Sequence, residues 1–384
     1  MARVVILDSA PFIADYYQKS AGVLFNETGG NSGNLAFRYA VASHIGGRGP
    51  TYLGWETSPE AMRAAGDVIV MPLANQLGKH TDLGAWARRL EQFNLPVIGV
   101  GLGVQAAATE TDVELTPGTR SWLDTLVRLA PTPGPNIGAR GTYTKDQIAR
   151  LGHISAAVSI GCPSNFINSS EDIAASVAQG FQRKPERIAV TAGIPYIPAL
   201  ASIEQDLADI VVATGGSYIV QHGLEMLQIA RNEFHIMSQR VLEECRAYIR
   251  PALTTEEFKT WCRRYAVGFY DVRAWMDALR QFDFVVGTRF HGVMLAIQAG
   301  VPAGCIAHDS RTQEMCETMG VPVRHHREIN HALTKDNVMD LFQFDPQQYR
   351  EIRLQLCKSY VGILKSADIE LSPGLARLYA LAAG

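Results

Sequence analysis

The sequence predicts an α/β protein of two doubly wound domains that face a cleft. Short apolar runs of the kind that form buried parallel strands alternate with amphipathic stretches of helical period. The alternation comes in two blocks, separated by a polar, small-residue-rich stretch at 169–184. A chain of 384 residues is long enough for two domains of ordinary size. The expected division is 1–172, 185–345 and a helical tail at 346–384. In two-domain folds of this class such a tail often returns across the hinge to the first domain.

In the first block, residues 3–7 read as a strand with Asp8 at its carboxyl end, while 10–24 fit neither period. The loop at 27–34 is rich in Gly, Asn and Ser and feeds a helix at 35–44. A polar glycine loop that leads into a helix suits a phosphate or a cluster of sugar hydroxyls, which makes Asn31, Ser32 and Asn34 candidate binding residues. A strand at 67–71, a helix at 83–93 and a strand at 97–100 follow, ending in Gly101-Leu102-Gly103. Ala106 stands where a dinucleotide fingerprint carries its third glycine, and no acid follows at a second strand end about 20 residues on, so nicotinamide binding is not expected. Close backbone approach of some other ligand at Gly101 and Gly103 remains. Helix 120–129 leads to a short strand at 136–139 that delivers Arg140 to its end, with Thr144 expected to cap the next helix. Strand 156–160 ends in Gly161-Cys162-Pro163-Ser164; Pro163 fits a first helical turn, Ser164 is a hydrogen-bond donor, and no base stands near Cys162 to make it a nucleophile.

The second block restarts with strand 187–191, helix 202–213 and strand 217–221, after which His222 occupies the carboxyl edge. Helices at 237–249 and 254–264 follow, the latter with Thr254 three residues before Glu257, a reciprocal capping pattern. Strand 267–270 and a helix capped by Asp271 lead to 282–308, the stretch around which the chain is organised. There an apolar run ends at Gly287, a helix-competent run from Val293 stops at Gly300, and a second buried strand occupies 303–307. Thr288, Arg289 and His291 therefore sit where a strand hands over to a helix, at the carboxyl edge where open α/β sheets bind ligands. The helix start offers free N–H groups and partial positive charge. Arg289 adds a fork of donors matched to phosphate or carboxylate, and His291 adds a proton carrier near neutral pH. This favours an anion site over an Arg289–Asp283 ion pair. Arg311, after strand 303–307, is a third arginine at a strand end. Two terminal helices are expected at 345–365 and 372–383.

Composition narrows the function. The net charge of −3 provides no basic field for nucleic acid. No apolar stretch approaches the roughly 20 residues of a membrane span, so any membrane contact is expected to be peripheral. Six cysteines without a Cys-x-x-Cys pair read as reduced thiols of a cytosolic protein. His325 and His326, adjacent on a strand, are expected to face opposite ways and not to share a metal.

Gly287-Thr288-Arg289-Phe290-His291-Gly292, followed by Ala296 and Gly300-Val301-Pro302, resembles the C-terminal signature of the polysaccharide pyruvyl transferase family. Arg140-Gly141-Thr142-Tyr143-Thr144 and Gly161-Cys162-Pro163-Ser164 resemble its paired middle motifs, and Asn31-Ser32-Gly33-Asn34 its N-terminal loop. The resemblance spans about 26–322. It implies a GT-B-like pair of Rossmann-like domains and transfer of pyruvate from phosphoenolpyruvate to two hydroxyls of a sugar, a hexose such as galactose. The product is a cyclic ketal in a polysaccharide or its precursor, with release of phosphate. His291 and Arg289 are then the catalytic pair. Arg140, Arg311, Thr288, Asn34, Asn31, Ser32, Gly101, Gly103, Ser164 and His222 bind substrate. Neither cofactor nor metal is called for. The implied partners are phosphoenolpyruvate and a glycan acceptor, at the cytoplasmic side and in reach of a lipid-linked glycan. Many family members carry aspartate after the loop glycine, where this chain has Asn34, which leaves the hydroxyl-activating base unassigned. Two other readings share the architecture: a GT-B glycosyltransferase using a nucleotide sugar, and a non-catalytic polysaccharide-assembly protein that retains the pocket.

Overall fold

The computed structural model describes residues 1–105 and 112–383; Ala106 lies outside the described residues. Two parallel sheets organise the chain. In the first, β1 (Val4–Leu7), β2 (Thr51–Leu53), β3 (Val68–Pro72), β4 (Val97–Leu102), β5 (Ile137–Ala139) and β6 (Ala157–Ser159) lie in the order β2-β1-β3-β4-β5-β6. In the second, β7 (Ile188–Thr191), β8 (Ser217–Val220), β9 (Ala266–Gly268), β10 (Phe284–Gly287), β11 (Ala303–Ala307) and β12 (Val323–His325) lie in the order β12-β11-β10-β7-β8-β9. Counted from β7 as its first strand, the second sheet has the 3-2-1-4-5-6 order of the Rossmann fold. Helical connections run between the strands, and the expected pair of Rossmann-like domains is present. The central strands β1, β3, β4, β7, β10 and β11 are almost wholly apolar and fully buried, as strands covered on both faces must be.

Contacts divide the chain into two compact units, one of 1–10, 37–171 and 350–384, the other of 11–36 and 172–349. Residues 11–36 join the second unit through specific bonds. The Ile13 N–H donates to the Tyr270 carbonyl at 3.3 Å, the Ala21 N–H to Glu233 Oε2 at 3.0 Å, and the Ser32 N–H to the Gln221 carbonyl at 2.8 Å. Each unit has its own core. Trp122, Phe93 and Leu126 pack in the first, and Tyr218, Phe258, Trp261 and Phe284 in the second. All six cysteines are buried free thiols. Among the described residues no helix is long and apolar enough to cross a membrane.

Several local readings change. The stretch read as a polar boundary contains the helix Ile173–Phe181, which buries Ile173, Ala174 and Val177. The helix expected to be capped by Thr144 begins at Thr142; the Thr144 hydroxyl instead accepts the Val104 N–H at 3.3 Å. β12 ends at His325, so the His325 and His326 rings face each other at 4.7 Å rather than pointing apart. The capping pattern at Thr254 and Glu257 is present, and the Asp271 carboxylate accepts the Arg273 and Ala274 N–H groups.

Within the first unit, the fully buried His44 ends the helix Asn34–His44. Its Nε2–H donates to the Phe166 carbonyl at 3.1 Å, which leaves Nδ1 to accept from the Tyr360 hydroxyl at 3.2 Å. Burial outweighs the Phe166 bond and, with Arg353, lowers its pKa to about 4. The unfolded chain binds this proton near 6.5 and the folded chain only near 4, so the stability is complete above that upper value and is lost as pH falls through the interval. Denaturant titrations from pH 7 to pH 4 are expected to show the wild type losing about 3 kcal/mol more than His44→Gln over that range. Equal pH slopes would contradict the assignment.

Candidate functional site

The order of the second sheet reverses between β7 and β10, and open α/β sheets bind ligands outside the carboxyl ends of the strands at such a point. Gly287, the last residue of β10, pairs with Thr191, the last of β7. The contact is so close that a Cβ at Gly287 would stand 2.2 Å from the Thr191 carbonyl oxygen, so only glycine fits. Beyond it, the Thr288 N–H donates to the Thr191 carbonyl at 3.2 Å, and the Thr191 hydroxyl donates to the Arg289 carbonyl at 3.3 Å. Arg289 is the N-cap of the helix Phe290–Gln298, all nine residues of which are buried. The arginine and the helix start are thus fixed by strand pairing, as a preorganised anion site requires.

Arg289 is largely buried, its Nε has no partner, and its guanidinium makes no ion pair among the described residues. Burial lowers its pKa, while the charges of Glu204 and Asp309 raise it. Asp283, the obvious partner in sequence, accepts the Glu186 and Arg187 N–H groups at 3.0 and 2.8 Å instead. His222, after β8, is lowered to about 4 by burial and then by Arg289, so it is neutral at pH 7. His308, after β11, is lowered chiefly by burial, against the pull of Asp309. Nδ1 of both histidines, Ser32 Oγ, Gln221 Nε2 and Thr288 Oγ1 are buried without partners. This edge of the second sheet therefore holds an unsatisfied cation among neutral, unsatisfied polar groups, a combination that suits an anionic, hydrogen-bonding ligand.

The N-terminal loop belongs to this edge. Asn31 forms an antiparallel bridge with His222, and its Oδ1 accepts the Gly33 N–H at 2.8 Å. A Cβ at Gly33 would lie 3.2 Å from His291 Cβ and 3.0 Å from Gln221 Oε1, which places the loop beside the helix start. Asn34 Nδ2 donates to the Thr28 carbonyl at 2.9 Å and so closes its own loop. Arg311 Nη2 donates to Asp309 Oδ2 at 2.5 Å. Asp309 in turn caps the helix Ser310–Met319 by accepting the Thr312 N–H at 2.8 Å. Burial pushes the Asp309 carboxyl up, but Arg311, His308 and the Thr312 N–H together hold it at about 2.

Arg140, Gly101, Gly103 and Ser164 lie in the first unit, at the carboxyl edge of its own sheet. Arg140 Nε donates to the Gly101 carbonyl at 2.8 Å, Nη1 to Asn75 Oδ1 at 3.2 Å and Nη2 to the Leu73 carbonyl at 3.3 Å, tying β3, β4 and β5 together. A Cβ at Gly103 would come 2.5 Å from Asn75 Oδ1. Ser164 is buried and donates to Cys162 Sγ at 3.0 Å; burial raises the Cys162 thiol, so it is no thiolate nucleophile. Sequence reasoning missed two groups at these edges. One is the pair of Asp8 and Arg38, joined at 2.8 Å at the end of β1, where burial raises the Asp8 carboxyl. The other is Glu204, fully buried beneath the second edge. Its signal is the spacing with Leu207, Ala208 and Val211, the apolar stripe of its helix. Among the described residues no three His, Cys, Asp or Glu side chains are grouped to hold a metal.

A family model described as polysaccharide pyruvyl transferase matches residues 31–310. A search of curated proteins returns no match. Solved structures similar to the chain include the UDP co-structure of MnaA from S. aureus, at 9% identity and TM-score 0.44, covering 94% of this chain and 98% of that one. Another is the UDP-GlcNAc 2-epimerase from Methanocaldococcus jannaschii, at 11% identity and TM-score 0.40, covering 92% of this chain and 98% of that one.

A buried cation without a counterion is costly to the fold. Arg289→Met is therefore expected to melt at the same temperature as the wild type or a few degrees higher, and to show a smaller thermal shift with inorganic phosphate than the wild type. A fall of more than about 10 °C would mark Arg289 as a structural residue.

Proposed function

The chain belongs to the polysaccharide pyruvyl transferase family, and on that premise we propose that it moves pyruvate from phosphoenolpyruvate to two hydroxyls of one sugar, a hexose such as galactose. The product is a cyclic pyruvate ketal in a polysaccharide or its precursor. The observation that carries the reading is the Arg289 guanidinium, held without an ion pair at the switch point of the second sheet.

Phosphoenolpyruvate presents a phosphate and a carboxylate. Arg289, the Thr288 hydroxyl and the start of the helix Phe290–Gln298 suit the phosphate. Arg140 is held at the first sheet's edge by bonds to the Gly101 and Leu73 carbonyls and to Asn75 Oδ1. Arg311 contributes less, since Asp309 offsets its charge. Protonation of the methylene carbon makes it a methyl group and leaves an oxocarbenium-like centre at the adjacent carbon. One sugar hydroxyl adds there and loses its proton. The second hydroxyl then forms the other C–O bond as the bond to phosphate breaks, and its proton leaves with phosphate or solvent. His291, two residues after Arg289, is the acid–base group assigned to these transfers. The acceptor is a glycan, and the donor places the reaction in the cytoplasm, in reach of a lipid-linked acceptor at the inner membrane face.

Phosphate release is measured with phosphoenolpyruvate against a panel of α- and β-glycosides, with the products weighed by mass spectrometry. A product heavier than the acceptor by one pyruvate ketal supports the reading. Thermal stabilisation by nucleoside diphosphates and none by phosphoenolpyruvate would favour a nucleotide-sugar transferase. His291→Gln keeps a hydrogen-bond donor but removes the proton carrier. It is expected to bind phosphoenolpyruvate normally and to turn over about 10²–10⁴ times more slowly. Near-normal turnover with intact binding would remove His291 from acid–base duty.

A further inference from the structure

The scheme above leaves the place of the sugar open. Past β7, the strand that pairs with β10, the chain runs Gly193-Ile194-Pro195-Tyr196-Ile197-Pro198. Tyr196 is 53% exposed, a large ring left open to solvent at the carboxyl edge. Its loop is nevertheless fixed. Pro195 and Pro198 each lock a backbone angle. The Gly193 N–H donates to Glu204 Oε1 at 3.0 Å, and the Tyr248 hydroxyl donates to the Ile197 carbonyl at 3.1 Å. Burial and Glu204 raise the Tyr248 hydroxyl while Arg289 draws it down, so this loop is anchored to a side chain that feels the arginine's charge.

Glu225 stands past the next strand, β8, in the first turn of the helix Leu224–Ala230. Its side chain folds back over Gly223, where a Cβ would stand 2.3 Å from Oε1. Gly223 adjoins His222 and has a φ of 94°, which glycine adopts without strain. Glu225 is half-buried, its Oε1 has no hydrogen-bond partner, and no cation among the described residues offsets its charge. Tyr196 is its neighbour: burial, then the charge of Glu225, pushes the tyrosine hydroxyl up to about 12, so it keeps its proton at neutral pH.

We propose that Tyr196 and Glu225 form an acceptor subsite, in which a neutral hexopyranoside lays a C–H face on the tyrosine ring and donates hydroxyls to the carboxyl group. The proposal rests on the glycan-acceptor part of the reading above. A rigidly held tyrosine offers contact area at little ordering cost, and a carboxyl group without a cation retains lone pairs for hydroxyl donors. Arg289, on the same edge, disfavours a positively charged occupant. The strand order β10-β7-β8 sets this subsite, at β7 and β8, beside the donor site at β10 and β7.

The test measures binding of the methyl α- and β-glycosides of galactose, glucose and mannose by ligand-observed NMR titration. The proteins are the wild type, Tyr196→Phe, Tyr196→Ala and Glu225→Gln, with calorimetric titration of phosphoenolpyruvate and a melting curve for each. Tyr196→Phe, which keeps the ring, is expected to bind the preferred glycoside within about threefold of wild type. Tyr196→Ala and Glu225→Gln are each expected to lose about tenfold, with affinity for phosphoenolpyruvate within about twofold of wild type. Glycoside binding that is indifferent to Tyr196→Ala and Glu225→Gln overturns the proposal. So does a parallel fall in affinity for phosphoenolpyruvate, which would assign the pair to the donor site. A wild type that binds phosphoenolpyruvate but none of the glycosides overturns the subsite alone. Glycoside binding with the expected losses, but none of phosphoenolpyruvate, would overturn the donor reading and leave the subsite standing.

Discussion

A guanidinium held in the fold without a counterion is the constraint on which the second unit's edge depends. The backbone of Arg289 is placed by β10 and by the pairing of Gly287 with Thr191, the central pair of strands. Each acid that might neutralise it is engaged elsewhere. Asp283 binds backbone N–H groups, Asp309 takes Arg311 and caps a helix, and Glu204 is raised by burial. His222 and His308 are kept neutral largely by the burial that also encloses the arginine. Positive potential is thus concentrated on one side chain in a poorly solvated place, where an incoming anion interacts far more strongly than it would at an exposed surface.

The first unit solves a different problem. Its arginines hold backbone together. Arg140 gathers the ends of β3 and β4, and Arg353, buried in the terminal helix Pro346–Ser366, donates to the Asn165 carbonyl at 2.9 Å and to the Asn168 carbonyl. Arg38 pairs with Asp8. Arginine contacts of this kind fix loop geometry at a sheet edge.

The parts of this arrangement that local pattern controls were legible in the sequence. An apolar run, a glycine and a helical period bracket Thr288, Arg289 and His291 so tightly that their place at a carboxyl edge follows. The parts set by distant partners were not. Glu204 shares its helix with Asp206 and Asp209 and looks like one more solvated acid until its register with Leu207, Ala208 and Val211 is noticed. Arg311 stands at a strand end as expected, yet Asp309, two residues earlier, captures it. The Asn34 amide goes to its own loop, bonding the Thr28 carbonyl. β2 is a three-residue edge strand with an exposed and two half-buried positions, too short and too polar to show an apolar run. The helix Ile173–Phe181 hides behind small residues that resemble a linker.

The central claim is that the donor's anionic group is received at the switch point of the second sheet, and a crystal structure with bound phosphoenolpyruvate tests it most directly. The account predicts a phosphate or carboxylate oxygen within about 3 Å of the Arg289 guanidinium and of Thr288 Oγ1. Phosphoenolpyruvate seated elsewhere, with Arg289 Nε still unpartnered, would contradict it.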